Sequence, residues 1–472
     1  MSFWNRRKSL ESVSARQSHS ALRATLGWPH LLSLGIGGIV GTGIYTLIGV
    51  GAGLAGPAVI ISFVVAGLVC ACAALAYTEM STMMPMAGSA YTYSYVALGE
   101  FPAWFVGWTL ILEYTVVCSV VAVGWSGYAS GFIHSMGIGI PDALLAGPFA
   151  AVDPGVINLP AIVIALAVAG LLALGSRESA TVNLVLVCVK LVALATFVAL
   201  ALPAFNADNF QPFAPYGFGA TEMKDAKYGM MGAAAVIFFA FYGFDAVSTA
   251  AEEAKNPGRD LKIGIIGSML ACTAIYMVVS AAAIGGSRTE ALAASNEPLA
   301  MVLRNLNHPD AAKFIGLAAI VALPTVIMAF MYGQSRIFFV MARDGLLPQR
   351  LSVVNEKSGT PVLMTMITGV IVAAIAGFMP LQRIAEVANA GTLVAFIAVA
   401  VCMLVLRNKA PNAPRPFRTP AATLVAWAAI AGCAYLFVSL PGVTKLTFLI
   451  WNALGIVVYF VYARFQSALA RA

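Results

Sequence analysis

The sequence predicts an all-α integral membrane protein, and composition and apolar runs carry that prediction. Of the 472 residues, 60% are hydrophobic and only 10% are charged, whereas a soluble domain has about 25% charged residues. Apolar runs of about 20 residues, the length that crosses a bilayer as a helix, recur along the chain. We expect twelve spans, near 29–50, 57–78, 102–130, 156–174, 181–203, 228–250, 263–284, 314–341, 360–379, 387–406, 420–439 and 446–462.

The distribution of positive charge predicts the orientation in the cell membrane. Of the 27 Lys and Arg residues, eighteen fall in segments that lie inside if the N-terminus is inside, and seven fall on the other side. Cytoplasmic loops carry the excess of Lys and Arg, so we expect both termini in the cytoplasm. The net charge of +7 therefore reflects topology, with the lipid bilayer as a partner and no nucleic acid.

A glycine-rich stretch, Gly35 to Tyr45 with the sequence GIGGIVGTGIY, lies in the first span. Each glycine weakens a helix interior by about 1 kcal/mol relative to alanine. In hydrocarbon, a broken helix persists only where its backbone lines a cavity or is buried in protein. A ligand site is therefore one interpretation, and close helix packing is the other, because Gly37 and Gly41 have small-xxx-small spacing.

A similar interruption occurs in the sixth span, where Gly243 divides FFAFYGFDAVSTAAEEAKNPGRD. Interrupted segments at matching places in two halves indicate a transporter site between inverted repeats; two unrelated glycine-bearing helices are the alternative. The predicted organisation is a cytoplasmic N-terminal tail (1–28), a first five-helix repeat (29–203), a second five-helix repeat (228–406), two further helices (420–462) and a cytoplasmic tail (463–472).

Four residues of the Asp, Glu, Lys and Arg types fall within predicted spans: Glu113, Lys190, Asp245 and Arg336. Such groups usually face a site or pair with each other. Arg336 is near a span end and can reach the interface. Asp245 follows the break, where capping of free N–H groups is an alternative to substrate contact. Glu113 fits a structural or a functional role equally, whereas the apolar surroundings of Lys190 favour a functional one.

Other classes of protein are disfavoured by what the spans contain. All seven cysteines lie in apolar runs, and the four histidines lie in tails, span ends or loops, so we expect no metal site. We find no nucleophile or metal constellation among the spans, so we expect no enzyme. A receptor needs neither broken helices nor a buried lysine.

Several strings between residues 25 and 419 resemble those of one known family. These strings are TLGWPHLLSLGIGGIVGTGIYTLIG, PMAGSAYTYSYVALGE, GWTLILEYTV, FFAFYGFDAVSTAAEEAKNPGRDLKIGI, YGQSRIFFVMARDGLLP, ANAGTLVAFIAVAVCMLVLR and PRPFRTP. The chain resembles the amino acid–polyamine–organocation (APC) superfamily, in particular bacterial relatives of the cationic amino acid transporters. The resemblance implies a leucine-transporter-like fold of 5+5 inverted helices plus two, with helices 1 and 6 broken, and alternating-access transport of amino acids.

The resemblance also implies a substrate site at the two breaks. The substrate α-carboxylate is expected at the N–H groups of Gly41, Thr42 and Gly43, which agrees with the attraction of a half-helix N-terminus for anions. The α-ammonium group is expected at carbonyl oxygens freed by the same breaks, those of Ile39, Phe239, Ala240 and Tyr242.

The substrate side chain is expected to be small or medium and neutral. In the family alignment, Phe330 stands where cation-transporting relatives have a smaller residue, so it should shorten the pocket; packing between helices is the alternative. Glu113 is the acidic residue in span 3 that would have to pair with the guanidinium of a cationic substrate. The alternative role for Glu113 is to hold water or backbone near the site. The other functions considered are an amino-acid exchanger and a cationic amino acid or polyamine transporter. An accessory subunit and the oligomeric state stay open.

The coupling ion is expected to be a proton, with no other cofactor. In proton-coupled relatives, a lysine from helix 5 reaches the place that a sodium ion takes in sodium-coupled members, and Lys190 stands at the matching position. Its ammonium is expected near the carbonyl oxygens of Gly37 and Val40. Burial favours the neutral amine and the carbonyl dipoles favour the charged one. A permanently charged lysine that braces helix 1 is the alternative.

Overall fold

The computed structural model of the protein describes residues 6–9, 26–86, 88–150, 154–174, 180–223, 226–251, 254–353 and 361–471.

The first half of the described chain is helical and has one interruption near its start. Its α-helices are α1 Trp28–Ile39, α2 Thr42–Tyr45, α3 Leu47–Ala55, α4 Val59–Met83, α5 Ser89–Ala97, α6 Glu100–Ser135, α7 Leu159–Ala173 and α8 Ala180–Ala201. Pro29 occupies the first turn of α1, where a missing N–H costs nothing. Asn158 caps α7, because its Oδ1 accepts a hydrogen bond from the Ala161 N–H at 3.1 Å.

The second half begins with a short antiparallel hairpin, β1 Thr221–Met223 and β2 Ala226–Tyr228, in which Thr221 lies opposite Tyr228. A 3₁₀ turn (Phe238–Phe241) follows the first helix of this half. The α-helices are α9 Met230–Ile237, α10 Phe244–Thr249, α11 Pro257–Lys262, α12 Ser268–Gly286, α13 Thr289–Ala294, α14 Pro298–Asn305, α15 Pro309–Arg343, α16 Val362–Phe378, α17 Leu381–Lys409, α18 Ala422–Val438, α19 Gly442–Val458, α20 Arg464–Gln466 and α21 Ala468–Arg471.

Long apolar helices confirm the all-α membrane class. Within the described ranges, eight stretches are long and apolar enough to cross a bilayer: Leu47–Met83, Glu100–Ser135, Val182–Ala204, Met230–Thr249, Pro257–Gly286, Pro309–Arg343, Leu381–Lys409 and Gly442–Gln466. Shorter apolar helices accompany them, at Leu159–Ala173, Val362–Phe378 and Ala422–Val438. The helical membrane fold is therefore as predicted, and the count of twelve spans and the boundaries of the two repeats stay predictions.

Several helices continue beyond the spans that the apolar runs indicated. The third predicted span, 102–130, lies within α6, which runs from Glu100 to Ser135. The eighth, 314–341, lies within α15, which begins at Pro309. Polar residues at these ends, such as His134, interrupt the apolar pattern without interrupting the helix, so the hydropathy of the chain underestimates helix length.

A stack of tryptophan rings fastens α19 to α6. Trp108 lies between Trp104 and Trp451, with ring centroids 5.5 and 4.9 Å away. The indole N–H groups of Trp108 and Trp451 each donate to the other residue's carbonyl oxygen, at 2.9 and 3.0 Å. Because α6 also packs extensively against α15 and α17, it lies in the interior of the bundle.

Both ends of the described chain meet at one end of the bundle, around the buried carboxylate of Glu100. This carboxylate accepts hydrogen bonds from Arg6 at 3.1 Å, Tyr95 at 3.0 Å and Tyr459 at 3.0 Å, and also from Ser467. We call these five residues the terminal cluster. A charge this deeply buried is tolerated only when it is paired and hydrogen-bonded.

A second ion pair lies beside the terminal cluster. Lys8 Nζ donates to Asp344 Oδ2 at 2.5 Å, and the Tyr91 hydroxyl donates to the same oxygen at 2.7 Å. These contacts join the N-terminal segment to α5 and to the end of α15.

Candidate functional site

The first helix break lies between α1 and α2, where Val40 and Gly41 leave the helical conformation. Thr42 and Gly43 begin the short helix α2, and the first N–H groups of a helix have no partner within it. Among the described residues, no backbone carbonyl accepts a hydrogen bond from the Gly41 N–H. The hydroxyl of Thr42 is buried and also has no partner there. The break therefore presents a row of donors at the start of α2.

The second break lies between α9 and α10. The 3₁₀ turn after α9 leads to an extended Tyr242 and then to Gly243, whose φ of +117° is accessible to glycine at little cost. Asp245 Oδ1 accepts a hydrogen bond from the Gly243 N–H at 3.1 Å, and its Oδ2 accepts one from the Tyr114 hydroxyl at 3.3 Å. Of the two roles open to Asp245, the structure shows the capping contact.

The two breaks touch each other directly. A Cβ atom added to Gly38 would lie 3.0 Å from the Gly243 Cα, and one added to Gly43 would overlap the Ala240 backbone. Ala240 therefore lies beneath α2. Close helix packing, one of the two interpretations of the glycine-rich stretch, therefore occurs at this place, and the ligand site stays a prediction.

A narrow cavity separates the breaks from α6 and α15. About 10 Å³ is accessible to a water-sized sphere, which is room for about one water molecule. Its walls are formed by Gly38, Ile39, Gly41, Thr42, Gly43, Val117, Val121, Phe239, Tyr242, Val326 and Phe330.

The structure brings together most of the residues that the sequence indicated, and it adds three valines. Val117 and Val121 follow Glu113 at intervals of four on α6, and Val326 precedes Phe330 by four on α15. Residues four apart share a helix face, so this spacing was a signal that could have identified them. Together, the three valines and Phe330 form an apolar wall opposite the helix breaks.

Phe330 is buried at that wall, and its ring packs edge-on against Tyr114 with centroids 5.3 Å apart. It therefore both borders the cavity and packs between helices. Glu113 is buried but does not line the cavity. Its Cβ lies near Gly391 of α17, and its Oε2 has no hydrogen-bond partner among the described residues.

Lys190 lies on α8 behind the first break. Its side chain is 1% exposed, and its Nζ donates a hydrogen bond to the Gly37 carbonyl oxygen at 2.9 Å. Val187, one turn earlier on α8, packs against Gly37. Val40, the other predicted neighbour, is the extended residue at the end of α1, and its contact with the ammonium stays a prediction.

Two polar residues near the breaks were missed by the sequence reasoning. The Tyr276 hydroxyl donates to the Ile39 carbonyl oxygen at 2.6 Å, and this oxygen keeps a second lone pair for another donor. Asn389 of α17 contacts the second break. A single polar residue in an apolar span was the available signal, but the sequence did not indicate its partner.

Comparisons with known proteins agree with this architecture. A model of the amino acid permease family matches residues 26–463. The chain is 43% identical to the branched-chain amino acid permease BcaP of Bacillus subtilis, over 98% of each chain. It is 41% identical to the methylthioribose transporter of the same organism, over 99% of this chain and 100% of that one. Identity to the vacuolar cationic amino acid transporter 2 of Arabidopsis thaliana is 36%, over 86% of this chain and 63% of the relative.

The fold, the broken helices and these relatives define a multi-pass transporter of the cell membrane and not an enzyme. The chain belongs to the amino acid permease family within the APC superfamily.

Proposed function

We propose that this protein imports small or medium neutral L-amino acids by proton symport, with both termini in the cytoplasm. The observation that carries the proposal is the cavity between the helix breaks, which has the start of α2 on one side and an apolar wall on the other.

The helix breaks bind the headgroup that all α-amino acids share. The α-carboxylate accepts hydrogen bonds from the N–H groups of Gly41, Thr42 and Gly43, where the dipole of the following helix favours an anion. The α-ammonium group meets the carbonyl oxygens of the breaks, with Ile39 and Phe239 at the cavity wall. Because main chain recognises both charges, selectivity resides in the opposite wall.

The apolar wall selects a neutral side chain. No carboxylate lines the cavity within the described part of the chain, so a guanidinium or second ammonium would be buried without a partner, which is costly. A relative 43% identical is named a branched-chain amino acid permease, which supports this preference. The small volume requires the walls to separate when substrate enters.

Proton coupling acts through Lys190. When protonated, its ammonium donates to the Gly37 carbonyl and holds α8 against α1, the arrangement that keeps the headgroup site assembled. When the amine loses its proton to the cytoplasm, this charge-assisted bond weakens and α1 is released. An inward proton gradient thereby drives accumulation.

Uptake by purified protein in liposomes tests the proposal. An inward proton gradient should drive accumulation of labelled leucine or alanine without sodium, and unlabelled arginine should not compete. Counterflow without net proton movement would instead indicate an exchanger, and strong arginine or polyamine uptake would indicate a cation transporter. Methylthioribose belongs among the competitors, because a relative 41% identical is named a transporter of that compound.

A further inference from the structure

Asn389 connects α17 to the second helix break. It is fully buried, and its Nδ2 donates hydrogen bonds to the carbonyl oxygens of Ala235 and Val236 at 2.7 and 2.8 Å. Its Oδ1 accepts a hydrogen bond from the Tyr242 hydroxyl. One side chain thus contacts both the end of α9 and a residue at the cavity wall.

The position of these carbonyls explains why an amide is useful there. Ala235 and Val236 belong to the last turn of α9, just before the chain tightens into the 3₁₀ turn Phe238–Phe241. The last carbonyls of an α-helix lack the regular partner that a continuing helix would supply. An amide can satisfy them and still accept from a hydroxyl, whereas an aliphatic side chain of similar size can do neither.

We propose that Asn389 is a positioning residue that sets the geometry of the second break and places Tyr242 in the substrate cavity. Its effect on substrate affinity and side-chain selectivity rests on the proposed function. Its effect on the conformation of the second break does not depend on the proposed function.

A buried asparagine on another helix provides a matched control. Asn452 of α19 is 4% exposed, donates to the Phe448 carbonyl oxygen at 2.9 Å and accepts from the Thr109 hydroxyl at 3.1 Å. It is not part of the cavity wall. Asn389→Leu and Asn452→Leu therefore remove the same groups from equally buried places.

Hydrogen exchange measured by mass spectrometry on the full-length protein tests, without any substrate, whether Asn389 sets the geometry of the second break. In Asn389→Leu, amides 237–243 should exchange about tenfold faster than in the unmodified protein, which matches the loss of about one buried hydrogen-bond partner. Asn452→Leu should leave this segment unchanged. Equal exchange of 237–243 in both variants would overturn the proposal. If Asn389→Leu does not fold, Asn389→Ser should show the same acceleration, because its short side chain cannot reach both Tyr242 and the two carbonyls.

Uptake kinetics test whether Asn389 affects substrate affinity and side-chain selectivity through Tyr242. Asn389→Leu or Asn389→Ser should raise the KM for leucine by about tenfold and change the ratio of the KM values for leucine and alanine. A residue that merely supports folding would lower the amount of active protein and leave both values unchanged, as expected for Asn452→Leu. Unmodified protein that takes up neither amino acid contradicts the proposed function alone, while unchanged KM values in an active Asn389 variant contradict this inference.

Discussion

Lys190 donates a hydrogen bond to the carbonyl oxygen of Gly37, at 2.9 Å. This bond joins the middle of α8 to the last turn of α1, directly before the first helix break. Because a glycine lies at this contact, α8 approaches the α1 backbone closely: a Cβ atom on Gly37 would lie 2.9 Å from Val187. The proton-binding candidate is therefore in contact with α1, just before the break whose N–H groups are proposed to bind substrate.

Lys190→Met should abolish accumulation driven by a proton gradient, because methionine has similar length but neither a charge nor a donor. Proteoliposomes with an imposed pH gradient measure this effect. Lys313→Met is the control, because the Lys313 side chain is 48% exposed and lies outside the site. Gradient-driven accumulation that persists in Lys190→Met, or sodium-dependent uptake that is indifferent to pH, would show that Lys190 does not couple transport to protons.

Gly43→Leu should abolish substrate binding while the protein still inserts into the membrane. Even a Cβ atom there would overlap Ala240, and overpacking forces the backbone to shift, so the donors at the start of α2 should leave their positions. Thr42→Pro should act similarly, because it removes one backbone donor. The increase in unfolding temperature on adding leucine measures binding, since a ligand stabilises the state it binds.

Gly170→Leu is the matched control for Gly43→Leu. Gly170 lies in α7, and a Cβ atom added there would have no neighbour within 4 Å. The Gly170→Leu protein should therefore keep the increase in unfolding temperature that leucine causes. Uptake retained by Gly43→Leu would refute the assignment of the headgroup site.

Phe330→Ala should widen the cavity and move selectivity toward larger neutral amino acids. The ring at the apolar wall limits the space for the substrate side chain, so its removal should improve competition by phenylalanine and weaken that by alanine. Phe314→Ala, on the same helix but 38% exposed, is the control. Unchanged competition in Phe330→Ala would mean that the ring only packs against Tyr114.

Arg6→Ala should destabilise the protein by about 3 kcal/mol, because it leaves the buried carboxylate of Glu100 without its cation. The unfolding temperature in detergent measures the loss. Arg7→Ala provides the control, because Arg7 is the exposed neighbour in sequence. Equal unfolding temperatures for the two variants would contradict the role given to the Arg6–Glu100 pair.

The sequence predicted the breaks better than it predicted the network around them. Gly41, Gly43 and Gly243 were identifiable because glycine is costly inside a membrane helix and because the interruptions recur at matching places. Asn389 and Tyr276 were not, because their partners are backbone carbonyls more than 100 residues away. Nothing in a local pattern indicates which distant carbonyl a single polar side chain will meet.

For the charged residues too, the sequence predicted burial but not the contacting partners. Burial of Glu113, Lys190 and Asp245 followed from their apolar surroundings, but their partners did not. Asp245 caps the Gly243 N–H, one of the two roles that the sequence left open. Glu113 lies beside Gly391 and outside the cavity wall, so its predicted contact with substrate stays a prediction. Helix ends were underestimated because polar residues continue helices past the apolar runs.

The terminal cluster has a consequence for how the chain matures during synthesis. Glu100 is the first residue of α6, but Ser467, one of its hydrogen-bond partners, follows 367 residues later. Until Ser467 has been made, the Glu100 carboxylate lacks part of its set of hydrogen-bond donors. Arg6 in the N-terminal segment can then contact only an incomplete cluster. A nascent chain stopped before residue 459 would lose two of the hydroxyl donors to Glu100. Completion of this cluster therefore has to wait until residue 467 has been made.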